Sequence, residues 1–200
     1  MKNNKSFLLA LSLMLFIAGT SQSFAQLQIP AASPSAYVAH NVGFTKISID
    51  YSSPAVKGRK IFGEIEKYGT SWRAGANAQT IIEFSTAVSI GGKNLRAGRY
   101  SIFITPQATG EWTVHINSKG SSVFTYMKEG VMDETAIAQD NAASVKVAPV
   151  MGENTERLTY TISAENNKVA KVTMAWEKVK ISFMVDTQVD QKMDGFKTAF

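Results

Sequence analysis

From Thr45 onward the chain alternates apolar and polar positions with a period of two. Thr45, Ile47, Ile49 and Tyr51 are set against Lys46, Ser48 and Asp50. That spacing puts the apolar side chains on one face of a strand and the polar ones on the other. The pattern returns in Trp112, Val114 and Ile116, and again in Leu158, Tyr160 and Ile162. It returns once more in Val172, Met174 and Trp176, and in Val179, Ile181, Phe183 and Val185. Shorter apolar runs at residues 80–84, 88–90 and 100–105 bring the set to about eight or nine strands.

The connectors carry turn chemistry. Gly91-Gly92 supplies positive φ cheaply between Ile90 and Leu95, and Asn166-Asn167 is placed to do the same between Ile162 and Val172. Pro106 ends a strand because it has no N–H to donate to a ladder. Strands this close together, without long helices between them, predict an all-β fold, an antiparallel β-sandwich. Two stretches depart from the alternation. Residues 52–79 are long and irregular yet hold Ile61, Phe62, Ile65, Tyr68 and Trp72, too much apolar area for a disordered linker. A short helical segment is expected near residues 61–68. A second is expected at the C-terminus, where Val189, Met193, Phe196 and Phe200 share one helical face.

The N-terminus reads as a leader. Lys2 and Lys5 precede an apolar run from Phe7 to Ala18 broken only by Ser12, and Ser23-Phe24-Ala25 offers small residues at a cleavage site. The run is shorter than the roughly 20 residues that cross a bilayer. The expected organisation is a signal peptide over 1–25, an extended arm over 26–36, a β-sandwich domain over 37–187, and a tail or short helix over 188–200. The expected location is the periplasm or the exterior, with no membrane span after cleavage.

The chain has no cysteine, so neither a disulfide framework nor a lipid-modified cysteine is available, and the core alone must hold the domain. The net charge of +5 includes both leader lysines. What remains is too mild and too scattered for a nucleic-acid surface, so no nucleic-acid partner is expected.

The irregular segment reads Ser53-Pro54, then Lys57-Gly58-Arg59 and Ile61-Phe62-Gly63, then Trp72-Arg73-Ala74-Gly75-Ala76-Asn77. Ala97-Gly98-Arg99-Tyr100-Ser101 follows on a later strand. In these pieces the chain resembles a secreted bacterial family known as domain of unknown function 2911, over roughly Ser33 to Val185. The resemblance implies no activity and assigns no role to His40 or His115.

The residues themselves carry chemistry. Arg59 and Arg73 are planar, permanently charged donors suited to carboxylate or phosphate. Trp72 offers a flat apolar face, Asn77 a donor and an acceptor, and Gly75 and Ala76 allow close approach. Two readings stand side by side. In one, Arg59, Trp72, Arg73 and Asn77 bind a polar or anionic ligand, a glycan or an envelope protein. In the other, Arg73 pairs with Glu64 or Glu83 and clamps the loop to the sheet, with Trp72 as a core plug.

No compact catalytic signature appears. Gly-x-Ser-x-Gly is absent, and the two histidines are far apart without zinc spacing, so no catalytic residue, metal ligand or cofactor is assigned. His115 is read as solvated on the polar face of its strand, and His40 as exposed. A binding or accessory module therefore stands ahead of a hydrolase or metal-dependent enzyme assembled from distant strands, and of a structural domain without a small-molecule site.

Overall fold

The computed structural model describes residues 29–198; the leader, the start of the arm and Phe200 lie outside the described residues. Among the described residues twelve strands are formed. They are β1 (Ser35–Val42), β2 (Thr45–Ser52), β3 (Thr80–Phe84), β4 (Val88–Ile90), β5 (Lys93–Leu95), β6 (Gly98–Thr105), β7 (Trp112–Asn117), β8 (Met127–Lys128), β9 (Val131–Met132), β10 (Asn141–Val147), β11 (Val150–Ala164) and β12 (Val169–Asp186). One sheet has the order β1-β2-β3-β6-β7-β10 and the other β11-β12-β4-β5, while β8 and β9 form a separate ribbon. Neighbouring strands run antiparallel, as in β1–β2, β6–β7 and β11–β12. The two large sheets share one core, in which Ile47, Ile82, Ile102 and Val114 meet Leu158, Val172, Met174 and Val185. The chain is an all-β sandwich.

The two edge strands of the larger sheet carry only a weak alternation, Val38 and Val42 in β1 and Ala143, Val145 and Val147 in β10. Edge strand β1 is mostly exposed or half-buried, and β10 buries only Ala143 and Val147. Conversely, the two alternations after Val169 belong to one 18-residue strand. The buried set changes from even to odd positions at Glu177, which holds φ +56. The β11–β12 register shifts on both sides of the Thr155–Glu177 pair, and the kink returns the following side chains to the core.

Gly91 and Gly92 take φ +57 and +76 in the two-residue β4–β5 hairpin, as their sequence predicts. The β11–β12 turn works differently from expectation. Neither Asn166 nor Asn167 adopts positive φ. Instead Asn166 Oδ1 accepts the N–H groups of Lys168 and Val169, both at 2.8 Å.

The helical segment expected at 61–68 is a single closed turn. Ile65 and Glu66 donate their N–H groups to the Ile61 carbonyl at 2.9 and 3.0 Å. Gly63, at φ +93, then leaves helical space, and the Tyr68 ring occupies the position a Cβ there would take. Among the described residues the α-helices are α1 (Glu134–Gln139) and α2 (Val189–Lys197). The second is the expected C-terminal helix, and its Phe196 meets Phe44 edge-on at 6.3 Å. The first is too short for a 3.6-residue period to show, although Asp133 caps it by accepting from Ala136 N–H at 2.9 Å.

Candidate functional site

β3 begins at Thr80, opposite Ile102, so β6 runs on past its neighbour. Trp72 fills that place. Its N–H donates to the Ile104 carbonyl at 3.0 Å, and the Ile104 N–H donates back at 3.1 Å. Ile104 faces the core, so the pleat sends Trp72 inward and its neighbours Ser71 and Arg73 outward. Inside, Trp72 stands beside Trp176 with ring centroids 5.7 Å apart, and Phe62 touches Trp72, Trp112 and Trp176. All three tryptophans of the chain surround that one phenylalanine.

The outer face of β6 and β7 is covered by residues 118–140. A second, smaller core forms beneath them from Phe103, Val123, Tyr126 and Ile137. Among these apolar contacts runs a chain of polar groups whose direction can be worked out from one end. Lys119 N–H donates to Asn117 Oδ1 at 3.0 Å, which orients that amide. Asn117 Nδ2 then donates to the Tyr126 hydroxyl at 3.0 Å and to Asn141 Oδ1 at 3.4 Å. Asn141 Nδ2 is left to donate to His115 Nδ1 at 2.8 Å. Nδ1 must accept, so the ring proton sits on Nε2 and is donated to Thr105 Oγ1 at 2.8 Å. Thr105 passes its hydroxyl proton toward Ser71 Oγ at 2.6 Å, and Ser71 donates to Glu134 Oε2 at 2.6 Å. Glu134 Oε1 also accepts the Ser71 N–H at 2.7 Å. Burial pushes His115 below its ordinary 6.5, and the Glu134 carboxylate pulls it back part of the way.

This corrects the reading of His115 as solvated. Its side chain does lie on the outer face of β7, but the covering segment leaves it only 7% exposed. His40 is exposed, as expected. The pinning of the long irregular loop is also relocated. Glu83 bonds Arg99 at 2.9 Å and Glu64 lies 3.9 Å from Lys60, so neither is the partner of Arg73. Ser71, two residues earlier, takes the carboxylate instead, from Glu134. No sequence signal connects them, because they lie 63 positions apart, one in the irregular loop and the other at the start of α1.

A cleft of about 170 Å³ opens where the irregular loop meets the covering segment. Ile65, Val123, Phe124, Met127 and Met132 give it apolar walls, and Glu66, Lys67, Ser71 and Arg73 supply polar groups. Arg73 is half-buried, with its guanidinium carbon 4.8 Å from the centre of the Phe124 ring. Its NH1 donates to the Asn77 carbonyl at 3.1 Å. None of the ion pairs among the described residues involves Arg73. Burial raises Glu66 from its ordinary 4.5 to about 7, against the pull of the Arg73 guanidinium.

The four sequence candidates therefore separate. Arg73 lines the cleft, and Trp72 contributes to its floor while mainly filling the core. Arg59 is exposed elsewhere and holds its own turn, donating to the Val56 and Ala55 carbonyls at 3.0 and 2.7 Å. Asn77, at φ +54, donates to the Ser33 carbonyl at 2.9 Å and fastens the start of the domain to the loop. Glu66, Ser71 and Phe124 are among the cleft residues that the sequence did not single out. Among the described residues no cluster of His, Asp and Glu is arranged to hold a metal ion, and no helix is long and apolar enough to cross a membrane.

Residues 33–185 match the family described as "Protein of unknown function (DUF2911)". The chain belongs to that family. No curated protein and no solved structure matches it. The DUF2911 domain spans both sheets, the irregular loop and the covering segment, so the whole cleft lies within it.

Proposed function

We propose that this protein is a binding module whose site is the cleft between residues 65–73 and the covering segment, and that its ligand carries negative charge. One observation carries the reading. Arg73 stands at a half-buried rim with a guanidinium that no carboxylate neutralises within ion-pairing distance among the described residues. A desolvated cation left unpaired is costly, and an anionic ligand would relieve that cost. Arg59 and Asn77, spent on backbone carbonyls, act as scaffold. The polar chain through His115 holds the cleft's wall and ends on Glu134; Ser71 is 2% exposed and already donates its proton there. We place the module outside the cytoplasm, on the strength of the leader pattern in residues 1–25.

Thermal melts with millimolar small anions test the site. Wild type should be stabilised in a concentration-dependent way, since a ligand bound only by the native state raises its stability. Arg73→Ala should lose the effect while changing intrinsic stability by less than about 1 kcal/mol. Arg59→Ala should keep the effect. An effect that survives in Arg73→Ala overturns the site. The location has its own test: mass spectrometry of exported protein should find Gln26 at the N-terminus, and an intact Met1–Ala25 segment would refute export with cleavage.

A further inference from the structure

We infer that the ligand of this cleft is a small monocarboxylate with a short apolar body, its carboxylate held between the Arg73 guanidinium and a carboxylic proton donated by Glu66. The inference rests on the binding reading above and specifies its chemistry.

Three features narrow the class. The first is the donor set. NH1 of Arg73 is engaged by the Asn77 carbonyl, and the guanidinium plane is backed by Phe124. What Arg73 still offers is the fork geometry that matches a planar, two-oxygen anion. The second is the charge count. The charged groups lining the cleft are Glu66, Lys67 and Arg73, with Glu134 and His115 behind Ser71. Lys67 is exposed to water, so among the described residues lining the cleft Arg73 is the one partly desolvated cation. A doubly charged phosphate would bring more negative charge than Arg73 balances and would set it against Glu66. A monocarboxylate brings one. Two carboxyl groups that share a proton carry a single negative charge between them, which one guanidinium neutralises. Glu66 already favours its protonated form, because burial outweighs the attraction of Arg73.

The third feature is the wall. Ile65, Val123, Phe124, Met127 and Met132 surround the charged pair with apolar surface, and methionines adapt to an apolar guest. The space is small, about 170 Å³ against the roughly 300 Å³ at the low end of drug-sized sites. A short acyl chain or a single ring suits it; a long lipid tail does not.

Binding in this form takes up a proton. At a pH slightly above the Glu66 midpoint, part of the free protein has Glu66 ionised. The incoming carboxylate must then be met by a proton drawn from solvent. Affinity should therefore fall as pH rises past about 7.

Isothermal titration of the protein with hexanoate, acetate, hexylammonium and inorganic phosphate decides the matter. Each is run near pH 7.5 in two buffers of different ionisation enthalpy. Hexanoate should bind at least about tenfold more tightly than acetate, as several buried methylenes require. Hexylammonium and phosphate should bind worse than hexanoate. The difference in heat between buffers should report proton uptake. Glu66→Gln, whose amide can donate but not titrate, should abolish the uptake and the pH dependence of hexanoate affinity, and Arg73→Ala should lose at least tenfold in affinity. If acetate or phosphate equals hexanoate and still depends on Arg73, the anion site stands and this ligand class is wrong. Hexanoate binding without proton uptake, or with uptake unchanged in Glu66→Gln, removes Glu66 from the site. If no probe binds in an Arg73-dependent way, both this inference and the binding reading fail.

Discussion

Glu134 grips Ser71 with both carboxylate oxygens, one on the backbone N–H at 2.7 Å and one on the hydroxyl at 2.6 Å. Glu134 opens α1 in the covering segment, and Ser71 sits beside β6, so this pair joins the wall of the cleft to its floor. Hydrogen bonds to a charged group contribute about 1.5–3 kcal/mol each, and a buried donor left alone adds a penalty. Glu134→Ala should therefore cost about 2–3 kcal/mol in denaturant melts. Hydrogen exchange should quicken in residues 118–140 more than in β2, β3 or β6. Uniform loss across the sheet would show that the pair does not act locally.

The tautomer of His115 is a second expectation. Asn117 is oriented by Lys119 N–H, Asn141 by Asn117, and His115 by Asn141, so the ring proton belongs on Nε2. Nitrogen chemical shifts of labelled histidine should show Nε2–H and a neutral ring persisting below pH 6.5. The sign of the linkage follows. The folded state disfavours the charged ring, so the unfolded state binds the extra proton as pH falls. Stability is full above 6.5 and is lost as pH drops through the depressed folded value. An Nδ1–H tautomer would break the chain as described.

Glu66 should produce the opposite slope. Its carboxyl is raised from 4.5 to about 7 in the folded protein. The unfolded state then gives up its proton first, and the native state is penalised as pH increases. Its contribution is fully present below about 4.5 and is lost as pH rises through about 7. Glu66→Gln should flatten this part of the stability profile between pH 5 and 8. A profile identical to wild type would mean that Glu66 is not desolvated.

Gly75 is expected to be packed by the protein's own backbone. A Cβ there would meet Thr80 Oγ1 at 2.6 Å and the Ser52 carbonyl at 3.2 Å. Thr80 Oγ1 donates to the Ala74 carbonyl at 3.0 Å, which also accepts the Tyr160 hydroxyl at 2.9 Å. Gly75→Ala should cost about 1–3 kcal/mol, the range for forcing a methyl into a filled site. Neutral stability would reopen the idea that the small residue makes room for a ligand.

Much of the sandwich is legible along the chain, because a strand with one wet face writes its burial as a period of two. The inward residues of β2, β7 and β12 can be read that way, including the change of parity at Glu177. The edge strands β1 and β10 are harder to read, since their core-facing positions are few and partly solvated, as at Val38 and Val145. Arg73 was recognisable as a candidate by its chemistry alone. Its partners were not.

The alternation by itself determined which residues of the central strands turn inward and that the fold is all-β. It also determined that Gly91-Gly92 makes a hairpin, through backbone angles that glycine alone adopts cheaply. The tertiary structure decided what Arg73, Ser71, His115 and Glu134 do. His115 has the pattern of a surface residue, and only the packing of residues 118–140 over β6 and β7 buries it. Ser71 and Glu134 meet across 63 positions because the irregular loop and the covering segment converge on one sheet face. Periodicity records which face of an element is apolar, and it carries nothing about which distant loop will cover the other face. The cleft lies at such a covering, so its chemistry became visible only in the folded chain.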